Sequence, residues 1–183
     1  MKLRMKFVAL AATFLAFGGL AVSTTPASAG TGSGYVSGSG DWSDDWYDEG
    51  PISTSSYAHS NAAAMWQAIL WADGYLTSTS KIDCVFGSGT RTATVNWQHD
   101  YGIGADGIVG SDTLTTAGTH GELEGPIDST GYLTMTYYGN KPGSGATGRY
   151  VTFTRNTDGN WGMYIGSDHH LLSYTYANFT NCA

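Results

Sequence analysis

One loop is written twice in this sequence, and that repeat constrains the fold more than any other feature. Asp83-Cys-Val-Phe-Gly87-Ser-Gly-Thr90 is followed, 23 positions on, by Asp106-Gly-Ile-Val-Gly110-Ser-Asp-Thr113. A Trp-Gln pair stands upstream of each copy, Trp66-Gln67 and Trp97-Gln98. The repeating unit is thus a helix ending near Trp-Gln, then a loop that opens the next helix. Each residue type has a structural use. The aspartate can accept hydrogen bonds from its own loop's backbone. Phe86 and Val109 plug the core. Gly87 and Gly110 are expected to let the chain turn sharply into a helix. The Thr90 and Thr113 hydroxyls, one turn in, can bond back to the loop.

Helical periodicity frames the two loops. Ala63, Trp66, Ile69 and Leu70 follow three–four spacing, with Ser60 placed as N-cap and Gly74 as the residue after the C-cap. A second helix is expected from about Ser88 to Tyr101, with Ala93, Trp97 and Tyr101 as its apolar stripe and Gly102 ending it. A third begins at Ser111, where Asp112 suits the positive end of the dipole. Leu114 and Ala117 face inward, and Gly118 is expected to stop it. Beyond Gly125-Pro126 the period changes to two. Tyr132–Tyr138 and Arg149–Arg155 alternate apolar residues with threonines. Asp158-Gly159 signals a hairpin, and Trp161, Met163 and Ile165 form the return strand. Leu171–Tyr176 reads as a fourth strand, and Gly139–Gly148 as a glycine-rich loop. The fold class is α+β: three helices, then a small antiparallel sheet.

The first 29 residues read as a signal peptide. Lys2, Arg4 and Lys6 precede an apolar run from Phe7 to Val22. Ala27-Ser28-Ala29 then offers a small-x-small site that places the mature start at Gly30. The run is too short to span a bilayer. Three of the eight basic residues lie before the cut, leaving five against fifteen acids and a net charge of −10. Such a surface repels phosphate backbones and anionic headgroups, which argues against nucleic acid and membranes as partners. Residues 30–56 read as a linker, Gly/Ser-rich at first, then acidic around Trp42, Trp46 and Tyr47, its aromatics docking loosely. Residues 57–119 are the helical module and 120–183 the β module. Cys84 and Cys182 are the two cysteines, and in an exported chain an even pair reads as a disulfide. Closing a loop of about 100 residues contributes roughly 4–5 kcal/mol in the chain-entropy model.

Residues from Ala63 to Ala117 resemble a peptidoglycan-binding domain of the three-helix type found beside bacterial cell-wall hydrolases. The resemblance rests on Trp66-Gln67, Leu70, Gly74-Tyr75, Ile82-Asp83, Phe86-Gly87, Thr90, Ala93, Trp97-Gln98, Tyr101-Gly102, Ala105-Asp106-Gly107-Ile108-Val109-Gly110 and Thr113. It covers about a third of the chain. Two positions depart from the family pattern. Cys84 stands where a glycine usually follows the first aspartate, so that site is either strained or remodelled if it needs a positive φ. Thr94 replaces an aliphatic residue and thins the core. Gly107 keeps the usual pattern, which makes the Asp106-Gly107 copy the better candidate for lining a ligand groove. The resemblance implies binding to wall glycan or stem peptide and leaves open which motif residues touch it.

Catalytic chemistry finds no convincing constellation. Glu122 and Glu124 are a carboxylate pair, but their glycine-flanked setting reads as a solvated loop. Asp168-His169-His170 lacks the spaced third ligand of a zinc site and reads as a polar turn. No metal or cofactor is implied. Tyr132, Tyr137, Tyr138, Tyr150, Tyr164, Tyr174 and Tyr176 are too many for so small a core. An exposed row would suit a glycan surface, or the rings serve cross-strand packing. The expected protein is a secreted, extracellular or wall-associated monomer that binds peptidoglycan and is not an enzyme. The alternatives are a wall hydrolase with an unrecognised catalytic β module, or a secreted interaction or inhibitor protein.

Overall fold

A computed structural model describes residues 31–120, 122–125 and 132–182; the side chains of 122–124 are outside it, and so is the expected signal segment. Three helices come first: α1 (Asn61–Ala72), α2 (Ser88–Asp100) and α3 (Ser111–His120). Five strands follow: β1 (Glu122–Glu124), β2 (Leu133–Lys141), β3 (Gly145–Arg155), β4 (Trp161–Ile165) and β5 (Asp168–Leu171). They form one antiparallel sheet in chain order. The α+β class is therefore as expected.

The ends of α1 follow the sequence signals. Ser60 Oγ accepts from Ala63 N at 3.0 Å, and Gly74 takes φ +82° just beyond the last turn. Its surroundings do not follow them. Three–four spacing predicts one buried stripe, yet every α1 residue except Trp71 is buried. The helix lies between α2 on one side and the inner faces of β2 and β3 on the other. Ala62, Ala63, Ala64, Ala68 and Ala72 leave room for both layers to approach. A helix apolar all round is a core helix.

Four boundaries move. The third helix runs through Gly118 to His120, since a lone helical glycine costs only about 1 kcal/mol. Glu122 and Glu124 are not in a loop: β1 pairs with β2, Glu122 opposite Tyr138 and Glu124 opposite Thr136. The expected loop at Gly139–Gly148 is mostly strand, with a turn only at 142–144. The last strand is Asp168–Leu171, not Leu171–Tyr176, so Asp168-His169-His170 lies in β5 rather than in a turn. At Glu122–Glu124 and at Gly139–Gly148, neighbouring glycines had suggested breaks that cross-strand pairing overrides.

The segment read as a loosely docked acidic linker is built into the core. Trp46 is 3 % exposed and meets Phe153 and Trp161 edge-on, at centroid distances of 5.3 and 5.6 Å. Asp45 accepts from Arg155 Nη1 at 2.6 Å and Trp161 Nε1 at 2.9 Å. Glu49 accepts from the Ser37 backbone N–H at 2.8 Å and the Tyr174 hydroxyl at 2.6 Å. The acids are buried because each meets a donor from the far end of the chain.

One carboxylate joins helices to sheet. Asp73, fully buried, accepts from Trp97 Nε1 at 2.7 Å, the Tyr137 hydroxyl at 2.9 Å and Asn140 N at 3.0 Å. Burial pushes its carboxyl up to about 6 despite these donors. Beside it, Thr147 donates to Ala72 O, and Arg149 Nη1 to Trp71 O and Leu76 O, so the sheet caps the end of α1. A Cβ on Gly139 would sit 2.0 Å from Ala72 O, which is why β2 has glycine there.

Candidate functional site

The two loops share one hydrogen-bond design, centred on a buried glutamine. Gln67 Oε1 accepts from Cys84 N at 2.9 Å, and Gln98 Oε1 from Gly107 N at 2.8 Å. Gln67 Nε2 donates to Asp83 Oδ1, Val85 O and Thr90 Oγ1 at 2.8, 3.0 and 3.0 Å. Gln98 Nε2 donates to Asp106 Oδ1, Ile108 O and Thr113 Oγ1 at 3.2, 2.8 and 3.0 Å. Each aspartate also accepts from its own loop: Asp83 from Val85 N at 3.0 Å, Asp106 from Ile108 N at 2.8 Å. Thr90 and Thr113 bond back to Val85 O and Ile108 O. Phe86 and Val109 are buried, as core plugs should be.

Two glycine expectations need correction. Gly87 has φ −87° and Gly110 has no positive φ, so neither turn requires glycine. The residue that requires it is Gly107, at φ +75°, where a Cβ would also approach Arg91 Cγ to 2.8 Å. Its counterpart Cys84 keeps the same backbone shape at φ +65°, so the first loop is strained rather than remodelled. A side chain in that region costs about 1–3 kcal/mol. The disulfide of Cys84 with Cys182 is formed, its Cα atoms 5.0 Å apart. It holds the C-terminal segment against this loop, where Asn181 Nδ2 donates to Ile82 O. Thr94 is also more than a thinned core position: its hydroxyl accepts from Trp66 Nε1 at 2.8 Å and donates to Thr90 O at 2.8 Å.

The second loop carries no disulfide; Val109 pairs with Ile52 through two backbone hydrogen bonds of 2.9 Å, and the loop's outer side borders an open groove of about 310 Å³. Ile103, Asp106, Ile108, Ser111 and Asp112 form its walls, with Gln98, Gly110 and Thr113 behind them. Ile108 is 43 % exposed, an aliphatic side chain beside two carboxylates. Arg91 Nη2 donates to Asp106 O at 3.0 Å and steadies the loop from the opposite side. The groove offers apolar contact from Ile103 and Ile108. Carboxylate and hydroxyl acceptors sit around it, as suits a ligand rich in O–H and N–H donors.

The structure divides the residues that the sequence singled out. Gln98, Asp106, Gly110 and Thr113 reach the groove, and Gly107 shapes the loop from below. Asp83, Phe86, Gly87 and Thr90 belong to the first loop. Trp97 is buried on Asp73. Tyr75 and Tyr101 are half-buried near the β2–β3 turn: Tyr75 donates to Asp100 Oδ2 at 2.9 Å under Lys141 Nζ, and Tyr101 to Asn140 O at 2.5 Å. Sequence reasoning passed over Ile103, Ser111 and Asp112 as wall residues. The available signal was position alone: they flank the loop that keeps its glycine.

Asp168, His169 and His170 of the β module are engaged with their neighbours. Thr154 Oγ1 and His169 Nε2 are 2.8 Å apart, and His170 Nε2 pairs with Asp168 Oδ1 at 2.9 Å. Among the described residues no group of three histidine, cysteine, aspartate or glutamate side chains could hold a metal ion. Tyr137 and Tyr174 are buried, whereas Tyr132, Tyr138, Tyr150, Tyr164 and Tyr176 are exposed.

Residues 60–116 match the model of a family described as "Putative peptidoglycan binding domain". The resemblance read from the sequence therefore holds, and the matched span contains all three helices up to the middle of α3. No curated protein and no solved structure matches the chain.

Proposed function

We propose that this is a secreted, non-catalytic protein that binds bacterial peptidoglycan through the groove at Ile103–Thr113. One observation carries the reading. Within a segment that matches a peptidoglycan-binding family, one of two equivalent loops carries no disulfide and borders a groove, while the other is tied to the chain end by Cys182. The twin serves as an internal comparison: the same hydrogen-bond frame, with its surface given over to holding the chain end. The ligand presents amide and hydroxyl donors to Asp106, Asp112 and Ser111 and lays an apolar face on Ile108. Export is supported by the signal pattern and by the disulfide, which forms in oxidising compartments.

The test is retention of residues 30–183 on purified sacculi. Binding at moderate salt is the expected result, since the groove works by contact and hydrogen bonding rather than by long-range charge. A chain that washes through, or one that clears a wall-containing zymogram, contradicts the proposal.

A further inference from the structure

A second groove lies on the far side of α1, where β3 and β4 part. β3 pairs with β4 only through Phe153–Arg155, opposite Trp161–Met163. Tyr164 and Ile165 of β4 pair onward with β5. The opening holds about 440 Å³, within the roughly 300–1,000 Å³ of ordinary ligand clefts. Trp71 and Ile82 line one side, and Arg149, Tyr150, Tyr164 and Ile165 the other.

Three features define what fits. Tyr150 is 60 % exposed and Tyr164 41 %, so both rings reach solvent at the rim, the Tyr164 ring backed by His169 at a centroid distance of 4.5 Å. Tyr138, 44 % exposed, lies 6.3 Å from the Tyr150 ring and continues the row along the sheet. Exposed aromatic faces, negative at the π surface, accept the slightly positive C–H face of a sugar ring. Arg149 is the one formal charge among the lining residues. Its Nη1 is committed to Trp71 O and Leu76 O, while Nε and Nη2 have no acceptor among the described residues. Although fifteen acids outnumber five basic residues after the expected cut, none of the acids lines this groove, so its local charge favours an anion.

We infer that this groove is a second saccharide site, for a glycan whose sugar rings carry carboxylates. The rings lie across Tyr150 and Tyr164, and a carboxylate meets the free edge of Arg149. The site draws on the wall-binding proposal only for the choice of probe, a peptidoglycan glycan strand stripped of its stem peptides.

The experiment titrates residues 30–183 with that stripped glycan, with a chitooligosaccharide of equal length and with free stem peptide. The same titrations are run on Tyr150→Ala/Tyr164→Ala, whose exposed rings leave the core intact. The expected result is that stripped glycan binds at least tenfold tighter than chitooligosaccharide, and that the double variant loses tenfold or more. Equal affinity for the two sugars, an unchanged double variant, or binding of stem peptide alone overturns the assignment. Stripped glycan that still binds an Ile108→Asp variant but not the double variant supports this site independently of the first.

Discussion

Gly107 and Cys84 occupy the same backbone shape by different means. Gly107 reaches φ +75° without a side chain, under Arg91 and Val95. Cys84 accepts φ +65° with one, and its disulfide holds it there. Gly107→Ala is therefore expected to destabilise by about 1–3 kcal/mol, from the left-handed backbone and the crowded Cβ together. A urea midpoint measures it, and no shift would mean that the loop tolerates a side chain. The sequence showed this position well, because a duplicated motif lets one copy be compared with the other. It did not show that Gly87 and Gly110 are dispensable as glycines, since repetition marks a residue without giving its φ.

At the scale of elements, each loop is held by one glutamine projecting from the preceding helix. Gln98→Ala leaves Gly107 N–H, Asp106 and Ile108 O without their shared partner, at a cost of about 2–4 kcal/mol. Gln67→Ala strips the same bonds from a loop that the disulfide still anchors. Its loss is expected to be smaller in the oxidised protein and to match Gln98→Ala after reduction. Denaturation of both variants in each redox state checks this, and equal losses before reduction would contradict it. These frames were legible because their partners lie 8–23 positions apart within one motif. The all-round burial of α1 was not, because a three–four stripe marks one packed face and the sheet arrives from elsewhere. Five small alanines were the available hint.

Across the whole molecule, buried carboxylates tie distant segments together, and they set the pH response. Burial raises Asp73 to about 6 and Glu49 to about 7, from ordinary values of 3.8 and 4.5. Burial also raises Asp45 against the pull of Arg155. The folded chain then holds more protons than the unfolded one between about pH 4 and 7. Stability falls as pH rises through that window and levels off above it. His169, lowered by burial, works the other way below its ordinary 6.5, but it is exposed and counts for less. Melting is expected at a higher temperature at pH 5 than at pH 8, the free-energy difference being on the order of a few kcal/mol. A flat or reversed profile would contradict this burial. None of these pairings was readable beforehand. Asp45 meets Arg155 across 110 positions and Glu49 meets Tyr174 across 125, and spacing carries no signal at that range. The acidic stretch consequently read as solvated throughout, when Asp45, Trp46 and Glu49 are core and Asp41 and Asp44 stay exposed.

Wall recognition is proposed for the copy of the loop that carries no disulfide. Its most direct test is a binding isotherm on sacculi for wild type and Ile108→Asp, with melting temperature confirming that the variant is folded. Ile108 is exposed on the groove wall, so the change adds a third carboxylate beside Asp106 and Asp112 without opening the core. At least a tenfold loss of affinity at unchanged stability is expected. Full affinity in a folded Ile108→Asp variant would place recognition elsewhere on the molecule.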